Sequence, residues 1–436
     1  MVQNMDLNVD LRQMVIALET AVSLVGMNDT NHGKRVGYIA SQIGSQLGFS
    51  QSDISFAFEL GMLHDCGVSN EQMHSNLVNH FDWSDAYIHC NIGYQLLKNF
   101  APLSKYALPI LYHHTPWQLL SSVDISSYDR RMSNLIFLSD RIDVLGATHD
   151  KADILLAKDD IIEAIKAHED SYFQPKLVDA FLAISNCESF WIALEDRHIF
   201  RFVCDMANLP AKQQLSLDEL KQLSLIMAYI VDQKSPFTAQ HSVRVAAVAK
   251  FLAISFGLTP QQCQKIEIAG LLHDLGKLHT PDRILDKPGA LDDVERAVMN
   301  QHSYETYEIL RAISGLEEIA RWAAFHHEGL NQAGYPFHPR KQDLTIEARI
   351  IAVADVFQAL VQHRPYRKGM SCDAALILLD KMVASGKLDA QLVSLVRERI
   401  DPCYVIAQHG DPDTESQLTL LQLPIFSDVH RLPAIA

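Results

Sequence analysis

The sequence predicts an all-α protein, on three observations. Helix-start signals recur: Thr259-Pro260-Gln261-Gln262 combines an N-cap threonine, a proline at the first helical position and a glutamine that can cap in return. Ser216 and Glu219 form a second capping pair, followed by apolar residues at steps of three and four, as on one buried helix face. Strand-like alternation is sparse. Finally, a set of histidines and aspartates occurs twice in the same order, which predicts two tandem helical domains.

The duplication is anchored on two copies of His-Asp-x-Gly, one beginning at His64 and one at His273. Each copy closes an apolar helical run, and at Gly276 we expect the left-handed residue that often ends a helix. Corresponding positions in the two copies are 209 to 215 residues apart. A proline near residue 210 interrupts the helical pattern, so the predicted domains span residues 1–207 and 208–436. The matched pairs are His32 with His241, His64 with His273, Asp65 with Asp274, His89 with His302, His113 with His326, His114 with His327, and Asp140 with Asp355.

Composition limits the classes of function. The chain has 436 residues, 48% of them hydrophobic, and a formal net charge of -16. That charge disfavours binding to duplex nucleic acid, which selects for a basic surface. A small anionic substrate stays compatible if metal ions or local cations collect in a pocket.

Cysteine usage and hydropathy point to a cytoplasmic protein without a membrane anchor. The seven cysteines are scattered and form no C-x-x-C pair, so we expect neither a disulfide framework nor a thiolate zinc site. The N-terminus lacks a basic segment of the signal-peptide type, and no apolar run is long enough to span a bilayer.

The second copy of the repeated set contains imidazoles and carboxylates but no thiolate, which suits iron, manganese, zinc or nickel. A carboxylate between two ions can offer one oxygen to each, and a two-metal site can ionise a bridging water and stabilise both oxygens of a phosphoryl transfer. Any one of these histidines is by itself more often a core residue than a ligand. The ordered, repeated set favours a metal centre.

The motifs of the second half resemble the HD superfamily of metal-dependent phosphohydrolases, and within it the HD-GYP family of cyclic dinucleotide phosphodiesterases. The resemblance covers about Ser216 to Met370. It is carried by three motifs together with the Arg364-Pro365-Tyr366-Arg367-Lys368 run. The three motifs are His273-Asp274-Leu275-Gly276-Lys277, His326-His327-Glu328 and Gly334-Tyr335-Pro336.

The resemblance implies two divalent ions, iron, manganese or nickel, with Asp274 as the bridge. It makes Asp274 and Lys277 catalytic, with Lys277 serving the leaving oxygen. The alternative interpretation of Lys277 is an ordinary solvated surface lysine. For the substrate-binding residues, the alternatives are a structural turn at Tyr335 and a solvated basic segment at Arg364 and Arg367. The ligands implied for one ion are His241, His273, Asp274 and Asp355, and for the other Asp274, His302, His326 and His327. The implied substrate-binding residues are Arg364, Arg367, Tyr335, Gly334 and Pro336, with Gly334 in a loop that needs an unusual φ angle.

Three positions depart from the family pattern. Phe237 stands where some relatives have a glutamate associated with a third metal, which favours two ions here. Gln332 replaces a usual glycine before the Gly-Tyr-Pro motif, and Gln358 replaces a common aspartate. These changes affect loop shape and substrate choice more than catalysis.

The first copy is interpreted as a degenerate, non-catalytic HD domain. It retains a full ligand set, but Val68 replaces the lysine and no Gly-Tyr-Pro lies between His114 and Asp140. His149 and Ala152 align with the two arginines of the basic run. Packing, regulation and metal-dependent sensing all stay open as its role. The retained set is His32, His64, Asp65, His89, His113, His114 and Asp140.

The resulting hypothesis is a phosphodiesterase that opens a bacterial cyclic dinucleotide to its linear form through a metal-bridging hydroxide. Cyclic GMP-AMP and cyclic di-GMP both stay open as substrates, with the two-domain layout leaning to the former. The alternatives are a non-catalytic receptor for the dinucleotide and a different HD-superfamily nucleotide phosphohydrolase. We expect no duplex nucleic acid and no membrane as partners, and a homodimer stays open.

Overall fold

The chain folds into two compact units. The computed structural model describes residues 7–26, 31–68, 70–147, 154–209, 213–234, 240–363 and 368–423. The first unit runs from Leu11 to Gln213, and the second contains Gln214–Leu423 together with residues 7–10. The domain boundary expected at residues 207–208 stays a prediction.

The all-α prediction is confirmed. In the described ranges there is no strand, and the extended pairing consists of two isolated bridges, Asp10 with Gln214 and Glu169 with Phe173. Among the same residues, no helix is both long and apolar enough to cross a bilayer.

The first unit contains a set of helices numbered here α1 to α12, with a short 3₁₀ helix at Ser104–Tyr106. They are α1 (Leu11–Val22), α2 (His32–Gln46), α3 (Gln51–Leu63), α4 (Glu71–Asn79), α5 (Tyr87–Leu97), α6 (Ala107–Leu111), α7 (Trp117–Leu120), α8 (Ser127–Ala147), α9 (Ile154–Lys166), α10 (Pro175–Ser185), α11 (Glu188–Ile192) and α12 (Asp196–Ala207).

The second unit continues the series, with a 3₁₀ helix at Leu275–His279. Its helices are α13 (Leu217–Gln233), α14 (His241–Phe256), α15 (Pro260–Leu272), α16 (Asp282–Leu285), α17 (Asp293–Arg311), α18 (Glu317–Ala324), α19 (Ile346–Val361), α20 (Cys372–Ala384), α21 (Ala390–Glu398), α22 (Ile400–His409) and α23 (Pro412–Leu421).

Local sequence explains where three helices of the second unit begin. Capping boxes close the N-termini of α13 at Ser216, α15 at Thr259 and α17 at Asp292, each with its N3 side chain bonded back. Two of these were predicted. Because caps satisfy the free amides of the first turn, they fix the start of each helix and hence the register of the residues it carries.

The helices that carry the His-Asp motif cross their neighbours unusually closely. A Cβ on Gly270 of α15 would lie 2.8 Å from the Cα of Ala246 in α14. In the first unit a Cβ on Gly61 of α3 would lie 2.5 Å from the Cα of Gly37 in α2. The same close crossing, at corresponding positions of the two copies, brings the first histidine of each set beside the His-Asp pair.

Candidate metal centre

The seven predicted ligands of the second unit come from five helices and their ends. His241 begins α14, and His273 and Asp274 follow the last turn of α15. His302 lies within α17, and Asp355 lies within α19. The remaining pair follows α18 directly: His326 and His327.

Asp274 is the centre of this arrangement because its two oxygens face different histidines. Oδ2 lies 3.4 Å from Nε2 of His241 and 3.2 Å from Nε2 of His273. Oδ1 lies 3.6 Å from Nε2 of His302 and 3.8 Å from Nε2 of His326. One carboxylate therefore borders two separate groups of donors, as a bridging ligand must.

The donors fall into two triads, each with its ligand atoms within 4.8 Å of one another. One triad is His241, His273 and Asp355, and all three residues are buried. The other is His302, His326 and His327. With the bridging carboxylate, each triad supplies four protein donors, a number compatible with a transition-metal ion.

Hydrogen bonding prepares the imidazoles to bind cations. His273, His302 and His326 each donate through Nδ1 to the carbonyl oxygen three residues earlier, at 2.7, 2.6 and 2.6 Å. This assignment fixes the tautomer and turns the Nε2 lone pair inward. Nε2 of His273 and Oδ1 of Asp274 are buried and have no hydrogen-bond partner. Buried polar atoms without partners are costly, so the residues present fit a metal ion.

Electrostatics favour the metal-binding protonation states of His302, His327 and Asp274, whereas the carboxylates of Asp274 and Asp355 outweigh burial and raise the pKa of His241 to about 9. Burial lowers the pKa of His302 to about 3 and that of His327 to about 4. Burial alone would raise the pKa of Asp274, but His273 and Lys277 hold it well below its usual range. Neutral imidazoles and ionised carboxylates are the forms that coordinate metal ions.

Gln358 positions the first histidine of the set. Its Oε1 lies 2.6 Å from Nδ1 of His241 and accepts the proton of that ring nitrogen. The amide takes the place of the aspartate expected from the family pattern, so the orientation of the ring is retained. In the first unit, the corresponding contact is made by Asp143, whose Oδ2 lies 2.7 Å from Nδ1 of His32.

The segment after Asp274 is held tightly against α17. Lys277 lies in the 3₁₀ helix, and its Nζ is 2.5 Å from Oδ2 of Asp274. Thr306 accepts a hydrogen bond from the amide of Gly276 at 2.9 Å and donates one to the carbonyl of His273 at 3.1 Å. The expectation of a left-handed Gly276 was wrong. Glycine is required here because a Cβ would lie 2.1 Å from the carbonyl oxygen of His302.

The Gly-Tyr-Pro loop is attached to the ligand turn by Glu328. One oxygen of this carboxylate accepts hydrogen bonds from the amides of Phe337, at 2.6 Å, and His338, at 3.1 Å. The expectation of an unusual φ at Gly334 was also wrong, since a Cβ there would instead lie 2.4 Å from the carbonyl of His327. Two other residues of this loop are left-handed: Gln332, with a φ of 60°, and His338, with a φ of 49°.

A cavity of about 330 Å³ opens beside the second triad. The ring of Tyr335 forms one wall, with its centroid 4.8 Å from that of His327. Sequence reasoning missed three polar lining residues, Arg296, Asn300 and Lys387. The spacing of Arg296 and Asn300 puts them one turn apart on α17, but no sequence signal linked them to the site.

Two predicted binding residues, Arg364 and Arg367, lie outside the described residues. Pro336 follows Tyr335 and is not among the residues that line the cavity, whereas Gly334 is.

The first unit also brings its retained set together. Nε2 of His32 lies 3.3 Å from Oδ1 of Asp140, and Nε2 of His89 lies 3.3 Å from Oδ1 of Asp65. Donor groups there include His32, His64 and Asp140. Val68, which the sequence comparison aligns with Lys277, is buried.

Comparisons with known proteins identify relatives of this chain. The HD domain family model matches residues 225–392. The chain is 36% identical over 414 residues to 3'3'-cGAMP-specific phosphodiesterase 1 of Vibrio cholerae, covering 94% of this chain and 96% of that protein. It is 37% identical over 181 residues to the cyclic di-GMP phosphodiesterase response regulator RpfG of Xanthomonas campestris, covering 41% of this chain and 46% of RpfG.

A solved structure shares the fold. The crystal structure of a Vibrio cholerae cyclic GMP-AMP-specific phosphodiesterase, V-cGAP3, matches with a TM-score of 0.64 and 24% sequence identity. The match covers 90% of this chain and 98% of that one. It therefore includes residues of both units.

Proposed function

The chain belongs to the HD-domain family of cyclic dinucleotide phosphodiesterases, the HD-GYP group indicated by its motifs, and we propose that its preferred substrate is 3'3'-cyclic GMP-AMP. Metal-dependent hydrolysis of a cyclic dinucleotide is the activity of this family. The observation that supports this activity for the present chain is the pair of donor triads on either side of Asp274, next to an open cavity. The second unit is the catalytic one in this proposal.

Two divalent ions would bind, one at each triad, with Asp274 between them. The donors are nitrogen and oxygen atoms, which suits iron or manganese and does not call for a thiophilic metal. When bound, such ions lower the pKa of water and neutralise charge on a phosphoryl group. Gln358 and the backbone carbonyls would hold the imidazoles in the orientation that binding needs.

Lys277 is the proposed proton donor to the leaving group. Its Nζ lies against Oδ2 of Asp274, so the ammonium is held at the edge of the donor cluster, with 19% of its side chain exposed. Hydrolysis joins the oxygen of a water to phosphorus and breaks the bond from phosphorus to the 3′ oxygen of the ribose. The departing oxygen would take its proton from Lys277, which prevents a free alkoxide.

The cavity residues would bind the rest of the dinucleotide. Arg296 and Lys387 are exposed cations on its lining, placed to pair with phosphate oxygens. The ring of Tyr335 offers a face on which a base can stack. Arg364 and Arg367 remain proposed phosphate ligands on the basis of the family resemblance.

Asn300 would read the adenine base. It lines the cavity, and its Oδ1 is buried with no hydrogen-bond partner, so a ligand group could satisfy it. A carboxamide can pair with N6 and N7 of adenine at once, and guanine has no amino group at position 6. Cyclic GMP-AMP contains an adenine and cyclic di-GMP does not. The preference is also supported by the relative matched over nearly the whole chain, which is a cGAMP-specific enzyme.

The decisive experiment is product analysis by chromatography. The full chain, loaded with Mn²⁺ or Fe²⁺, is incubated separately with 3'3'-cyclic GMP-AMP and cyclic di-GMP, and Asp274→Ala is the control. We expect linear product, faster from cyclic GMP-AMP, and none from the control. Binding without product in metal-loaded protein would favour a receptor, and turnover of mononucleotides alone would favour a different HD phosphohydrolase.

The substrate contacts are tested by paired variants. Asn300→Ala should lower kcat/KM for cyclic GMP-AMP by about 10- to 100-fold and leave cyclic di-GMP nearly unchanged, because a bidentate base contact contributes about 1–3 kcal/mol. Arg296→Ala should raise KM for both substrates. Arg311→Ala, at the far end of the same helix and paired with Glu308, is the matched control. Equal losses for both substrates in Asn300→Ala would refute the base-reading role.

A further inference from the structure

The first unit contains a thiol where the second has a hydroxyl. Cys90 follows His89 in α5, and Ser303 follows His302 at the corresponding place in α17. Sγ of Cys90 lies 3.8 Å from Nε2 of His89. His89, Cys90 and His113 are all buried, and their ligand atoms lie within 4.8 Å of one another. This group therefore combines two imidazoles with a sulfur atom.

A carboxylate completes the group. Oδ1 of Asp65 lies 3.3 Å from Nε2 of His89, and Nε2 of His89 lies 3.2 Å from Nε2 of His113. In a tetrahedral site with usual zinc bond lengths, neighbouring nitrogen and oxygen ligands are about 3.4 Å apart, and nitrogen and sulfur about 3.6 Å. The three distances from Nε2 of His89 therefore match the edges of one tetrahedron within a few tenths of an ångström.

A buried donor atom in this cluster has no hydrogen-bond partner of its own. Oδ1 of Asp65 is buried and makes no hydrogen bond. His113 donates through Nδ1 to the carbonyl of Ile110, at 2.6 Å. Its Nε2 atom is thus left as an acceptor facing the cluster, which is the tautomer that binds a metal.

The donor residues of this group are shielded from solvent, since His89 and His113 are 0% exposed and Cys90 is 1% exposed. The neighbouring cavity, lined by His32, His64, Asp65 and Val68, includes only Asp65 of this group and has a volume of about 30 Å³, against about 330 Å³ beside the second triad of the other unit. A volume of this size holds about one or two water molecules. Val68 is also 1% exposed and brings no charge where Lys277 stands. A closed shell of protein ligands is typical of a structural metal site.

Arg141 pairs with the carboxylate of the other donor group of the unit. Its Nη2 lies 2.8 Å from Oδ2 of Asp140, and it also donates to the backbone carbonyls of His80, Phe81 and Leu77. At the place of Arg141 the second unit has Val356, without charge. A fixed guanidinium beside Asp140 opposes a second cation, so the unit favours a single ion at the Cys90 side.

We propose that the first unit binds one thiophilic divalent ion, zinc by ligand type, through His89, His113, Asp65 and the thiolate of Cys90, as a closed structural site. The soft sulfur ligand selects zinc over the manganese or iron suited to the all-nitrogen and oxygen centre. The two copies of one ancestral ligand set thus hold different metals in one chain.

Cobalt substitution tests the proposal directly, because a thiolate bound to Co²⁺ gives a charge-transfer absorption that imidazole and carboxylate ligands do not. The background replaces the cysteines that are not fully buried, Cys187, Cys204 and Cys372, with serine. It also carries Asp274→Ala, which disables the second centre. We expect the band at one equivalent of Co²⁺, its loss in Cys90→Ser, and its persistence in the matched control Cys263→Ser, another buried thiol.

Metal content provides the second readout. In the same background, zinc should be retained through dialysis, and Cys90→Ser should weaken its binding at least about tenfold. Serine is the residue that the second unit has at the corresponding position, Ser303, so the substitution is a mild one. A thermal melt followed by circular dichroism checks that the variant folds. No cobalt band, or a band that persists in Cys90→Ser, would overturn the proposal. Cys90 would then be a buried thiol that donates to the carbonyl of Ala86. Because these readouts do not involve turnover, they fail independently of the phosphodiesterase assignment.

Discussion

Replacing Gly276 with alanine should disable the second-unit centre without touching any ligand. The added methyl group would lie 2.1 Å from the carbonyl oxygen of His302, 2.8 Å from the amide nitrogen of Thr306 and 2.8 Å from Cβ of Glu305. These neighbours are backbone atoms of α17 or the first side-chain carbon of Glu305, and a change of side-chain rotamer cannot move them. The 3₁₀ helix and α17 must therefore separate.

The size of the effect follows from these distances. Real Cβ contacts are essentially never shorter than 3.0 Å, so the two segments must move apart by about 1 Å. Asp274 lies on one segment and His302 on the other, and metal ligands tolerate displacements of only about 0.2 Å. A displacement of about 1 Å can reduce catalysis about 100-fold. We expect a stability loss of about 1–3 kcal/mol as well, since overpacking has this effect.

The assay combines turnover, bound metal and a thermal melt on the same preparations. Gly276→Ala should lose metal from the second triad and lower kcat about 100-fold at a temperature where the variant is folded. The matched control is Gly67→Ala, because the same methyl would lie 2.1 Å from the carbonyl of His89 in the first unit. The control should retain turnover. Full metal occupancy and near-normal turnover in folded Gly276→Ala would refute the argument that close packing sets the ligand geometry.

Three further changes test other features. Lys277→Ala should lower kcat by about 10²- to 10⁴-fold with bound metal unchanged, as expected for loss of a proton donor, and a proportional loss of metal in a metal assay would contradict that role. Gln358→Leu should weaken metal binding about 10- to 100-fold by freeing the His241 ring, measured by competition with a chelating dye, and unchanged affinity would count against the contact. Gln332→Gly should raise Tm by about 2–4 °C in a scanning calorimeter, because glycine relieves a left-handed backbone at φ 60°, and a lower Tm would contradict this.

The predicted ligand set could be found from sequence because a duplicated order of histidines and aspartates is independent of tertiary detail. His302 and Asp355 each lie at a fixed place in a helix that begins with a side-chain cap, at Asp292 and Thr345, and capping is a local property that sequence reveals well. The structure places all seven predicted residues of the second unit at one centre. Their role as ligands stays a prediction that metal analysis can check.

The lining of the cavity could not be predicted in the same way. Lys387 reaches it from the turn after α20, where the side-chain amide of Asn331 donates to the carbonyl of Ser385 and its backbone amide donates to the carbonyl of Gly386. Such contacts depend on the packing of distant segments, which no local pattern encodes. Gly276 and Gly334 were noticed as glycines but for the wrong reason, since the constraint on both is the approach of another backbone, not their own φ angle.

The thiol of Cys90 shows a limit of motif rules. The search for zinc sites relied on pairs of cysteines at short spacing, so a single sulfur among imidazoles gave no signal. Comparing the two copies position by position would have found it, because Ser303 and Cys90 differ at one otherwise matched place.

The carboxylate of Glu328 ties the ligand turn to the wall of the cavity, and this has a thermodynamic consequence. Its neighbour His327 belongs to the second donor triad. The amides that Glu328 binds, those of Phe337 and His338, follow Tyr335 in the loop. A substrate that orders the loop must therefore also favour the ligand position of His327. By reciprocity, the factor by which the nucleotide tightens the metal equals the factor by which the metal tightens the nucleotide. Removal of the metal should therefore lower the affinity for the nucleotide by that same factor.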